Sequence, residues 1–228
     1  RLGLQVKRML DGRLRRARKI MTNNELCSQT LVEINSLRRR IENKYEANRL
    51  RNDSEPLSIA IHNILAYIIK STANNPVTLD DCALTARKLM ECLVIIEYII
   101  NSNKNLNDWI MQKIIDEKEL LKCIIESAEN EEDKLPFRKR SEKLLVQETK
   151  KRTSIETMSK QGQYKIEYAN FNKQYSKFVH VSSLSVNMLL DEDMSMAFCY
   201  AFISRSKYYL EQVCSILENI DMDQRSIK

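Results

Sequence analysis

The stretch from Thr78 to Asn101, TLDDCALTARKLMECLVIIEYIIN, leaves a chain like this few folds to choose from. It contains neither Gly nor Pro. Thr78 has the side chain of a helix N-cap, and acids follow it at Asp80 and Asp81, within what would be the first turn. At about 100° per residue, Ala83, Arg87, Met90, Glu91, Val94 and Tyr98 share one stripe. Leu89, Cys92, Ile96, Ile99 and Ile100 fill the opposite side. A helix apolar nearly all round must be covered by neighbours, so 79–101 is expected to be the most buried helix of a bundle.

The rest of the chain agrees with that reading. Three Gly and three Pro in 228 residues leave little material for hairpins and tight turns, and period-two alternation is nowhere sustained. The pattern predicts an all-α fold. Further helices are expected over residues 23–52, 57–72, 109–128, 164–190 and about 194–220. Ser54 and Pro56 provide the start of the second of these. The segment SNKNLND after Asn101 reads as a polar loop, with Asn107 or Asp108 capping the helix beyond it. The acidic run Glu129 to Asp133, followed by Pro136, punctuates the chain. Residues 137–160 read as an exposed helix that leads to a mobile connection around 160–163.

Charge divides the chain unevenly. Residues 1–52 hold 14 Lys and Arg against 5 Asp and Glu, a net +9, while the remainder is net −3. A boundary is therefore expected near Asn52, with a basic helical appendage over 1–52 and a bundle core over 55–220. Arg13, Arg15, Arg16, Arg18 and Lys19 form one basic run, and Arg38, Arg39 and Arg40 a second. Such runs neutralise phosphates, so the expected partner is nucleic acid or a nucleoprotein. No aromatic residue interleaves the first run, which disfavours stacking on single-stranded bases. A protein partner or a homo-oligomer is also compatible with this composition.

Several chemistries are excluded. Glycines stand only at 3, 12 and 162, so no Gly-rich phosphate loop can be built. Six cysteines are scattered singly with no CxxC spacing, and only His62 and His180 are present, so neither a metal site nor a cofactor is expected. A lone His62 on an apolar helix reads as a core residue. Unpaired cysteines and the absence of a leader favour a cytoplasmic location. The apolar run from Leu89 to Ile100 is interrupted by Glu91 and Glu97 and is too short and too charged to cross a bilayer. The chain begins at Arg1 rather than Met, which leaves room for a segment upstream.

Two separated pieces carry a family resemblance. ARKLMECLVIIEYI at 86–99 holds an Arg-x-x-x-Glu pattern in Arg87 and Glu91, and YSKFVHVSSLS at 175–185 holds a Ser-x-x-x-His pattern in Ser176 and His180. Together they resemble a bacterial all-helical family of unknown function found beside phage-defence and mobile-element genes. The resemblance spans about residues 55–220 and implies that Arg87, Glu91 and His180 converge. Such a group is either a polar clamp or a catalytic site. In the catalytic alternative the chain is similar to the HEPN ribonucleases, helical effectors that cleave RNA. Those proteins place an Arg shortly before the catalytic His. Here Tyr175, Gln174 and Lys173 precede His180, and Leu57, Pro56 and Glu55 precede His62. The clamp is therefore the favoured reading, and a fully buried pair would cost about 3–5 kcal/mol to break.

Overall fold

A computed structural model describes residues 23–51, 55–145, 153–179 and 192–220. All of the regular structure there is helical: α1 (Asn23–Arg51), α2 (Pro56–Ser71), α3 (Leu79–Asn101), α4 (Asn103–Ser127), α5 (Glu131–Leu145), α6 (Ile155–Ser159), α7 (Lys165–Val179) and α8 (Glu192–Asn219). The fold is an all-α multi-helix bundle.

Helix α3 is its axis. Thr78 and Asp81 close a reciprocal capping box: each backbone N–H donates to the other's side-chain oxygen, both at 3.1 Å. From there the helix packs on α2, α4, α6, α7 and α8, and every residue from Cys92 to Ile99 is buried. Burial on all sides is what its all-round apolar sequence demands.

Helix α1 enters the same core. Cys27, Ile34, Leu37 and Ile41 are buried in one cluster with the side chains of α2, α3 and α8. Two ion pairs, Lys207 with Glu33 and Arg40 with Glu218, run between α8 and α1. The described part of the basic N-terminal quarter is thus a layer of the bundle, whereas an appendage was expected there. Residues 1–22 lie outside the described residues.

Three local expectations change. The polar segment after Asn101 is not a loop, because α4 resumes at Asn103. Ser102 alone turns the chain: its extended backbone ends α3, and its hydroxyl accepts the Asn105 N–H at 3.1 Å. Asn105 Nδ2 then donates back to the Tyr98 carbonyl at 3.0 Å, so the corner is capped from both sides. Next, Pro136 lies inside α5, where it forfeits one intrahelical bond. Packing on α4 and the Arg140–Glu117 pair hold α5 in place. Finally, residues 160–163 form a bonded turn rather than a mobile connection. Lys160, Gln161 and Gly162 donate to the carbonyls of Glu156, Met158 and Ser159, and the Gln163 N–H reaches the Glu97 carboxylate at 2.8 Å. For α2 the N-cap is Glu55, which makes no side-chain cap bond, and Pro56 takes the first helical turn. Ser54 lies outside the described residues.

The aromatic stripe of α7 packs toward α8. Tyr175 and Tyr209, both fully buried, share a hydrogen bond of 2.7 Å between their hydroxyls. Tyr209 donates on to Glu167 Oε1 at 2.8 Å, and Arg205 completes the chain at 3.2 Å while stacking on Phe171. These buried phenols are satisfied inside the bundle, as buried polar groups generally are.

Candidate functional site

The Arg-x-x-x-Glu spacing places Arg87 and Glu91 one turn apart on α3, and Arg87 Nε donates to Glu91 Oε1 at 3.0 Å. Each side chain keeps more than a quarter of its surface in solvent, 27% for Arg87 and 28% for Glu91. The pair is therefore half-exposed, not the sealed charge pair that the apolar run around it suggested. The cost expected for breaking it falls accordingly.

Groups from three helices surround the pair. Tyr67 of α2, about half exposed, is pushed above the usual phenol range by partial burial and then by the nearby Cys92 and Glu91. Tyr168 of α7 is raised chiefly by burial and then by Glu91, with Arg87 pulling the other way. Burial, reinforced by Glu91, lifts the Cys92 thiol to about 12. A thiol held that high is not a nucleophile at neutral pH.

Glu91 and Cys92 also border a cleft of about 830 Å³ between α2, α3 and α4. Ala60, Ile64, Cys92 and Ile95 supply apolar floor, while Tyr67, Trp109 and Ile110 stand at its sides. Lys88, Lys113 and Asp116 add charge. Gln112 is buried and anchored twice, donating to Asp116 at 3.0 Å and accepting the Thr153 N–H at 3.0 Å. Reading the sequence missed this cleft and its lysines. The available signals were the lone Trp109 and Tyr67, a phenol in a largely apolar helix.

The remaining sequence candidates fall in different places. His180 lies outside the described residues. Among the described residues the structure brings Arg87 to Glu91. His62 stacks on Tyr45 with ring centroids 4.1 Å apart, an ordinary packing role.

Of the basic candidates, Arg13, Arg15, Arg16, Arg18 and Lys19 lie outside the described residues. Arg38 is turned inward and donates to the carbonyls of Thr72 and Ala73 at 2.9 and 3.1 Å, which holds the end of α2. Arg40 is engaged by Glu218. Arg39 is exposed and makes no ion pair among the described residues. Among those residues, too, no three His, Cys, Asp or Glu side chains cluster as metal ligands, and no helix is long and apolar enough to cross a membrane.

Fold and site together define an all-helical bundle with a ligand-sized cleft bordered by Glu91 of a partly exposed Arg–Glu pair. Residues 60–197 match the model of a family of unknown function, DUF5677, and the chain belongs to that family. The match spans the cleft helices and the Arg87–Glu91 pair, and leaves out α1 and most of α8. No curated protein matches the chain, and no solved structure does.

Proposed function

We propose that this chain is a helical accessory or binding module of a bacterial defence or mobile-element system, holding nucleic acid or a nucleoprotein partner through its basic N-terminal region. The observation that carries this reading is the charge division, net +9 over residues 1–52 against net −3 over the rest. Packing sharpens it. Arg38 and Arg40 are occupied within the fold, so phosphate contact falls to Arg39 and to the run from Arg13 to Lys19. The Arg87–Glu91 pair then serves as a tie within α3, since each group already has its partner.

Fluorescence anisotropy with a short duplex at increasing salt tests this. Five phosphate contacts from Arg13 to Lys19 predict a slope of about −4.5 in log affinity against log salt, lost on deleting residues 1–21. Binding insensitive to salt, or unchanged by that deletion, refutes the proposal. RNA turnover that disappears in a folded His180→Asn variant would replace it with the catalytic alternative.

A further inference from the structure

No described residue of α1 lines the cleft between α2, α3 and α4, and along α3 and α4 its lining changes in polarity. Nearer the Ser102 corner stand Ile95 of α3 and Trp109 and Ile110 of α4, and farther from it stand Lys88, Glu91, Lys113 and Asp116. Helix α2 adds Ile59, Ala60, Ile64 and Tyr67. Lys88 and Ile95 are seven residues apart, about 10 Å along α3. A volume of about 830 Å³ is large enough for a small organic ligand.

The charged end is not neutral in its needs. Glu91 already accepts from Arg87, and Asp116 from Gln112. Neither Lys88 nor Lys113 lies within ion-pair distance of a carboxylate among the described residues. Both carboxylates of the lining are thus engaged, whereas its two lysines have no ion pair among the described residues. The group still wanted at this end is an acceptor with negative charge, and at the other end an apolar body.

We propose that the cleft binds a small amphipathic organic anion, with its carboxylate or sulfonate between Lys88 and Lys113 and its apolar body against Ile95 and Trp109. The indole of Trp109 and the exposed Ile59 and Ile110 then cover the body, which removes apolar surface from water. The anchored Gln112 keeps the charged end in shape without itself needing to move.

Calorimetric titration of the full chain with decanoate and with decylammonium tests the assignment. Decanoate should bind saturably at one site, and about tenfold or more tighter than decylammonium, because the anion meets two lysines without ion pairs whereas both carboxylates are already engaged. Lys88→Ala/Lys113→Ala should remove most of that preference while circular dichroism stays unchanged. Ala60→Trp, which fills the floor, should abolish binding of both probes. No saturable decanoate binding would overturn the proposal and leave the groove to an amphipathic helix of another protein. Equal binding of the two probes, or a double variant that binds decanoate as tightly as the parent, would overturn it as well.

Discussion

Gly162→Ala tests how α3 is locked to the turn before α7. Glu97 is buried at 8% exposure, and its Oε1 accepts the Gln163 N–H at 2.8 Å. Its Oε2 has no hydrogen-bond partner among the described residues and lies where the Gly162 side chain would be: a Cβ there would stand 2.0 Å from it. The carboxylate must swing away to admit a methyl group. Losing a charge-assisted bond in a buried place costs about 1.5–3 kcal/mol, and crowding a packed site adds about 1 kcal/mol at the low end. Alanine also restricts the unfolded chain, which offsets about 0.4–1 kcal/mol. The net expectation is a loss of about 2–3 kcal/mol, or roughly 4–12 °C in melting temperature for a chain of this size. Urea unfolding followed by circular dichroism measures it. The cause is checked by a cycle with Glu97→Ala, which removes the colliding group. In that background Gly162→Ala should cost almost nothing. A loss under about 0.5 kcal/mol in the parent, or strictly additive effects, would refute the close-approach reasoning.

Two further outcomes follow from α3. Glu91→Ala should cost about 0.5–1 kcal/mol, because a half-exposed i,i+4 pair is worth little; a drop above 3 kcal/mol in chemical denaturation would restore the sealed clamp. At the other end of the helix, the bonds from Thr78 hold the Asp81 carboxyl below its ordinary range. A carboxyl depressed on folding stabilises the fold above its unfolded pKa of about 3.9, and that part is lost as pH falls through the folded value. The stability of Asp81→Asn should therefore fall less steeply than the parent's below about pH 4. Parallel acid-unfolding curves for the two proteins would show that the box makes no such contribution.

How far the fold was legible depended on whether a residue's role is set locally. Helix α3 was readable because Thr78 and Asp81 stand at box spacing and the apolar residues leave no solvent face. The roles of Arg38 and Arg40 were not readable, because a count of charges cannot say which guanidinium meets Thr72 or Glu218. Nor could the exposure of Arg87 and Glu91 be read from α3 alone, since it depends on how α2 and α7 approach. The cleft was hidden for a different reason, and a single residue concealed it. With SNKNLND taken as a loop, α3 and α4 have no fixed register. With Ser102 as the corner, positions equally distant from it on the two helices come level, since a tight connection folds neighbouring helices antiparallel. Ile95 then stands level with Trp109 near the corner, while Lys88, Glu91, Lys113 and Asp116 stand farther from it along the two helices. The sorting of the cleft into an apolar and a charged end is thus already written along the two helices, and the conformation of Ser102 is what makes it readable.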